Sequence, residues 1–316
     1  MRKNRIVSLN KIIYILLLIV LMEVGIVTMV SLFDKIISDY TETKKPTITK
    51  KSLALLSKKR VKKQSISSLP PKIENKVKKN KISFIKISPK NCDDVVEINT
   101  SLVKPIIYTN SVKLDEVSIA EKKKTFIDML IPSILIAKYQ LKEEKKHLKK
   151  LLLKEKLTAE ERLWIQKKKY IFKASSAKDL YNKMALHPTS IIIAQAIIES
   201  GWGTSKFFEK ANNVFGIWSF NEHEKRMAAS IKRGKKTVYL KKYSSVEESI
   251  FDYFLVLSTK DAYKDFREKR LESQDPFVLI EHLGKYSELG QEYIENLKNT
   301  IQKNKLIAYD SYHLDI

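Results

Sequence analysis

The chain is short of cysteine, glycine, proline and acid. A single cysteine, Cys92, in 316 residues excludes an internal disulfide and offers no thiolate framework for structural zinc. Five histidines, His147, His187, His223, His282 and His313, show no close ligand spacing, so no metal and no other cofactor is implied. His187 reads as the start of a buried helix rather than as a ligand. Seven glycines and eight prolines are too few for the turns of an all-β sandwich, and the residue choice favours helix. Acids number 36 against 60 Lys and Arg, a formal net charge of +24, which predicts attraction to polyanions. A hydrophobic content of 43% is enough for a core and excludes a wholly disordered chain.

Residues 12–33 are a run of 22, almost all apolar, interrupted chiefly by Glu23. Such a run is long enough to span a bilayer. Arg2, Lys3, Arg5 and Lys11 precede it, and a positive flank stays in the cytoplasm. The expected order is therefore a cytoplasmic tail at 1–11 and a single-pass anchor at 12–33. A cleaved signal peptide is the competing reading, but no small-x-small cleavage site follows cleanly. Glu23 is the awkward residue, since a mid-membrane carboxylate costs about 3 kcal/mol on insertion scales. Residues 34–117 read as a basic, largely disordered linker. Between Lys44 and Lys90 sixteen Lys or Arg face one acid, Glu74, a local net charge of +15. That segment is suited to anionic wall or lipid polymers. Residues 91–117 carry β-prone runs, at Val95-Val96 and 103–108, that belong to no domain on sequence alone.

Residues 118–316 read as a mainly α domain. Phe126, Met129, Leu130, Ile134 and Leu135 lie on one face at helical spacing. Leu148, Leu151, Leu152 and Leu153 continue the pattern among lysines, giving two or three helices over 118–173. Thr158-Ala159-Glu160-Glu161 has the form of a capping box, and Trp164 behind it reads as core. His187-Pro188-Thr189-Ser190 is a helix start with hydroxyls able to cap. From Ile191 to Ile198 there is almost no polar relief, which marks a buried helix. Gly201 and Gly203 end it. Later elements are a short helix at 205–211 and helices at 246–258, 276–283 and 291–303.

Glu199 falls in the last turn of the apolar helix. The negative end of the helix dipole and the apolar surroundings both raise a carboxyl pKa there. A general acid working near neutral pH needs that shift. A lone glutamate is more often a cap or an ion-pair partner, so the neighbouring residues decide.

Those neighbours are Glu199-Ser200-Gly201-Trp202-Gly203-Thr204-Ser205-Lys206-Phe207, then Asn212-Asn213-Val214-Phe215-Gly216-Ile217-Trp218. With an upstream helix at 126–137 containing Ile131-Pro132, a segment at 243–250 and a late tyrosine motif at 285–293, they resemble the glucosaminidases of glycoside hydrolase family 73, in its Bax-type branch. The likeness covers about residues 122–307. It implies a lysozyme-like helical domain with a small β-hairpin lobe. It also implies cleavage of the β-1,4 bond between N-acetylglucosamine and N-acetylmuramic acid in peptidoglycan. By position, Glu199 is the implied proton donor and Tyr286 the tyrosine supporting the reacting sugar. Trp202, Asn213, Phe215 and Trp218 are the implied lining of the groove. The implied location is the bacterial inner (cytoplasmic) membrane, with the domain in the periplasm or outside the cell.

One departure matters. Many family members place a second carboxylate in a β-hairpin, four residues before the turn glycine; by the resemblance that hairpin corresponds here to 226–243, turning at Gly234. That position here is Ser230, which is no base at neutral pH. Glu222 and Glu224 lie nearby but outside the pattern, and Glu247 and Glu248 read as first-turn residues of the next helix. Two mechanisms stay open: the substrate N-acetyl group acts as internal nucleophile, or Glu222 or Glu224 supplies the second carboxylate. Two other functions compete: a membrane-anchored scaffold that binds wall glycan without cutting it, and a lytic transglycosylase. A nucleic-acid partner rests on charge alone, which satisfies only the electrostatic part of that case, and the expected external location opposes it.

Overall fold

The computed structural model describes residues 83–233 and 236–316. The expected tail, membrane anchor and most of the basic linker lie outside the described residues. Among the described residues no helix is long and apolar enough to cross a membrane. The body is mainly helical, with three small two-stranded sheets among the described residues.

Its axis is a single 34-residue helix, α1 (Ile119–Leu152), where the sequence allowed a break. Ser118 caps it by accepting from the Glu121 N–H. All residues from Thr125 to Ala137 are buried, so this stretch passes through the middle of the body. Beyond it the buried set narrows to Leu141, Leu148 and Leu151, a stripe at helical spacing with the lysines turned outward. Pro132 sits inside the helix, where it withholds one backbone donor. The next helix, α2 (Ala159–Ile171), starts at Thr158 with both halves of the capping box formed. After α3 (Ala177–Lys183) comes the motif helix α4 (Thr189–Ser200).

Every residue of α4 from Thr189 to Ile197 is buried, as its unrelieved apolar run requires. The cap differs from the expectation. No side chain of the entry segment caps the helix. Instead Asp310, from a 3-10 turn at Leu306–Ser311, accepts from the Ser190 N–H and hydroxyl, both at 2.7 Å. A distant carboxylate thus meets the positive end of the helix.

The linker boundary also moves. Residues 83–117, which composition assigned to a disordered linker, are part of the folded body. Strand β1 (Ile85–Ile87) pairs in parallel with β3 (Ile106–Tyr108), and β2 (Leu102–Val103) with β6 (His313–Leu314) near the C-terminus. Val103, Ile106, Tyr108, Val112 and Leu114 are buried in the common core. Asn212 fastens this arm. Its Oδ1 accepts from the Ser111 N–H, and its Nδ2 donates to the Thr109 and Tyr243 carbonyls. The composition misled because β2 finds its partner only at 313–314, and a lysine-rich average over 34–117 hides a few short apolar strands.

After α4 come α5 (Lys206–Ala211) and the hairpin of β4 (Arg226–Arg233) and β5 (Lys236–Lys241), antiparallel as expected, with a register irregularity between Ala228 and Lys232. Ser230 lies on β4. Helix α6 (Val246–Thr259) has Ser245 as cap and Glu247 and Glu248 in its first turn, the place read for them. Helix α7 (Lys264–Lys269) and a shorter α8 (Pro276–Ile280) lead to α9 (Gln291–Lys303).

Gly203 is the tightest point around α4. Its φ is +77°, and a Cβ there would lie 2.8 Å from Phe126 Cδ2 and 2.9 Å from Leu114 Cδ1. Gly203→Ala is therefore expected to lose about 3 kcal/mol from backbone strain and overpacking together. Urea denaturation checks this; a loss below about 1 kcal/mol, the usual size of a surface substitution, would contradict the packing described.

Candidate active site

Three successive residues with positive φ, Gly201, Trp202 and Gly203, turn the chain sharply after α4. Ser200 braces the turn: its hydroxyl donates to the Ala196 carbonyl and accepts from the Gly203 N–H. Glu199 is left half-buried at the end of the apolar helix, on the wall of a cavity of about 570 Å³.

The cavity brings together much of what the sequence singled out. Phe215, Trp218, Glu224 and Tyr286 line it with Glu199. Phe215 is buried and stacks on Tyr253, ring centroids 4.3 Å apart. Trp218 is 39% exposed and Phe220 79%, and their rings lie 6.2 Å apart at the open side. Exposed aromatic faces beside polar groups are suited to stacking on a sugar ring. Tyr286 stacks flat on Tyr293, at 5.6 Å and 7°, and lies 5.7 Å from Tyr263.

Burial pushes the Glu199 carboxyl above the usual carboxylate range, and the hydrogen bond from the Tyr293 hydroxyl, 3.0 Å to Oε1, partly opposes it. Burial likewise raises Tyr286, Tyr293 and Tyr263, so these phenols stay neutral donors at working pH. The raised pKa makes the carboxyl easier to protonate where it faces an open aromatic cavity, the shift a general acid needs.

Glu224 stands on the same cavity and Glu222 does not. The Ser219 hydroxyl donates to Glu224 Oε1 at 2.7 Å, and Lys241 Nζ lies 3.7 Å from Oε2. Lys241 is itself held by Asp252 of α6 at 2.9 Å. Glu224 is thus a fixed carboxylate in a loop that precedes the hairpin. Glu222 is exposed.

Two expected groove residues lie elsewhere. Trp202 packs edge-on against Phe126 with Lys123 Nζ 4.7 Å from its ring centre. It lines a separate cleft with Asp128, Asn304 and Tyr309. Trp202 does not line the Glu199 cavity. Asn213 is buried; its Nδ2 donates to the Ile217 and Lys241 carbonyls and its Oδ1 accepts from the Ile217 N–H. It shapes the Phe215–Trp218 turn from beneath and does not face the cavity. Sequence reading missed Phe220, Tyr263, Gln195 and Tyr293. Gln195 had a signal: it is the one polar side chain in the apolar run and sits four residues before Glu199, on the same helix face.

Among the described residues no group of three or more His, Cys, Asp or Glu side chains is arranged to hold a metal ion.

The profile of the mannosyl-glycoprotein endo-beta-N-acetylglucosaminidase family matches residues 174–306. This segment is a glucosaminidase-family domain. It contains Glu199, Glu224, Tyr286 and Tyr293, so the whole cavity falls inside the matched range. The chain is 34% identical to protein Bax of Escherichia coli K12 over 136 residues, covering 41% of this chain and 47% of that protein. It is 44% identical over 82 residues to the exo-glucosaminidase LytG of Bacillus subtilis 168, covering 24% of this chain and 29% of that protein. The chain therefore spans less than half the length of these relatives. Among solved structures, the catalytic domain of the autolysin Auto of Listeria monocytogenes is matched at 22% identity and a TM-score of 0.34, over 53% of this chain and 97% of that domain. Within the glucosaminidase-family segment Glu199 lies on α4, Phe215, Trp218 and Phe220 on the loop that follows α5, Tyr263 just ahead of α7, and Tyr286 ahead of α9.

Proposed function

We propose that this protein is a peptidoglycan hydrolase, an endo-β-N-acetylglucosaminidase that cleaves the β-1,4 bond between N-acetylglucosamine and N-acetylmuramic acid. The observation that carries the reading is Glu199: a carboxyl with raised pKa at the wall of an aromatic cavity, inside a glucosaminidase-family domain. Glu199 protonates the glycosidic oxygen as the bond breaks. Trp218 and Phe220 take the sugar faces, and Tyr286 supports the reacting ring on a lysozyme-like frame.

Glu224 is the second carboxylate in this reading. It is supported by its place on the Glu199 cavity and by its fixed contacts to Ser219 and Lys241. It takes the part that Ser230 cannot, as base or electrostatic partner. Glu224→Gln is expected to lower fragment release from purified sacculi about 100-fold, within the range of acid–base contributions, while Glu222→Gln stays within about twofold because Glu222 is off the cavity. Equal activity of Glu224→Gln and wild type would favour the substrate N-acetyl group as nucleophile. Binding to sacculi without release of fragments by wild type would favour the scaffold function.

The apolar run at 12–33 with its basic flank supports an inner-membrane location with the domain outside the cytoplasm, and the charge of the basic linker suits it to anionic polymers. A C-terminal reporter active only in the cytoplasm would sink this part of the proposal.

A further inference from the structure

Behind Glu199 a line of polar side chains runs into the core. The Tyr293 hydroxyl is 3.0 Å from Glu199 Oε1, and Gln195 Nε2 is 3.0 Å from the Tyr293 hydroxyl. The Tyr253 hydroxyl is 2.6 Å from Gln195 Oε1, and His187 Nε2 is 3.0 Å from the Tyr253 hydroxyl. Tyr293 comes from α9, Gln195 from α4 and Tyr253 from α6, with His187 just ahead of α4. All four are at most 1% exposed.

The line has a direction. An ionised carboxylate only accepts, so Tyr293 spends its one hydrogen on Glu199. Its oxygen then accepts from the Gln195 amide. That turns Gln195 Oε1 toward Tyr253, which must donate to it. The Tyr253 oxygen is left to accept from His187 Nε2–H. At the far end His187 Nδ1 is buried with no partner. A bare lone pair there is tolerable; an N–H would be a buried donor without an acceptor, which is more costly. Burial, with Arg270 and Lys138 nearby, holds the His187 pKa well below its ordinary value, so the ring is neutral with its single hydrogen on Nε2. The two ends therefore impose the same polarity. Reversing the line would demand a proton on Glu199 Oε1, pointing into the core, and an unpaired N–H on His187.

We infer that Tyr293, Gln195, Tyr253 and His187 form a one-way hydrogen-bond chain that keeps Glu199 Oε1 an acceptor and so directs the reactive proton to Oε2, on the cavity side. They are positioning residues, and the inference rests on the reading of Glu199 as the acid. Sequence distance does not matter to this device. Tyr253 and His187 act on the acid through groups that never meet the sugar.

The test uses the full chain in detergent and reads the Glu199 carboxyl by carbon-13 NMR across pH, beside the pH profile of fragment release. Tyr293→Phe removes the donor to Glu199 and should raise its midpoint by about one pH unit, the size of one hydrogen bond to a charged group. Tyr253→Phe, three hydrogen bonds from Glu199 and outside the cavity, should move the midpoint upward as well, by about half that. The alkaline limb of fragment release should move by the same amounts, with the maximal rate down about tenfold for Tyr293→Phe and binding to sacculi unchanged. Other titratable groups facing Glu199, namely Tyr263 and Tyr286 and, across the cavity, Glu224, Lys241 and Lys260, are the same in every variant. Gln195→Met breaks the chain at its middle with nearly the same volume and stands in if Tyr253→Phe fails to fold. A midpoint that answers Tyr293→Phe but neither Tyr253→Phe nor Gln195→Met would reduce the chain to one contact and overturn the inference. The NMR midpoint needs no turnover. A wild type that releases no fragments would therefore count against the hydrolase reading alone, while the midpoints still decide the chain.

Discussion

A chain that begins at Ser118 should lose its fold at room temperature, whereas one that begins at residue 83 should keep it. Lysine-rich composition makes 118 the natural place to cut. The structure makes it the wrong place, because Val103, Ile106, Tyr108, Val112 and Leu114 are all buried in the core that α1 and α4 share. Each such side chain is worth about 1.5–3 kcal/mol when fully buried, and Leu114 also closes over Gly203. Removing the arm further strips Asn212 of its Ser111 and Thr109 partners and β6 of its strand partner. The sum is of the order of the whole stability of a domain, about 5–15 kcal/mol. Thermal melts of the two fragments followed by circular dichroism check this. Matching melting temperatures would show that the arm is an ornament.

Glu199→Gln should show a rate loss and a stability gain together. The loss in fragment release is expected to be about 1,000-fold, since an amide occupies the same space and gives no proton. The gain follows from the raised pKa. A carboxyl whose pKa is higher folded than unfolded favours the folded state when protonated. That contribution is present below the unfolded value, about 4.3, and is lost as pH rises through the folded value. At neutral pH the wild type therefore carries a buried charge that the glutamine variant lacks. Glu199→Gln should melt higher than wild type at pH 7, and the two should converge below about pH 4. The same titration gives wild-type fragment release an alkaline limb at a pH above the ordinary glutamate range. A variant less stable than wild type at pH 7 would mean that the Glu199 carboxylate is well solvated.

Much of the fold could be read from local pattern. Residues 291–303 were bounded correctly because their apolar positions repeat at helical spacing and Gly290 precedes them. The motif helix was legible from its apolar run and its glycine stop, whereas the hairpin came from the family resemblance. Contacts made at long range were not legible. The cap of α4 by Asp310 joins residues 120 apart in sequence, and β2 finds its partner at the other end of the body.

The site divides the same way. Glu199 was placed by its helix and its motif, since both are local. Trp202 and Asn213 were misplaced because a motif fixes residue identity but not which way the fold aims a ring or an amide. Tyr293 stood in the quoted motif without a role of its own; only the fold brings its hydroxyl to the carboxylate. Glu224 lay outside any spacing pattern. What qualifies it is that Ser219 and Lys241 hold it against the cavity of Glu199.

The most direct measurement is mass spectrometry of the fragments released from purified sacculi by the full chain, with Glu199→Gln alongside. The account predicts fragments ending in reducing N-acetylglucosamine, absent from the Glu199→Gln digest. Fragments with anhydro ends would make the enzyme a transglycosylase, and sacculi bound by both proteins but cut by neither would contradict the account outright.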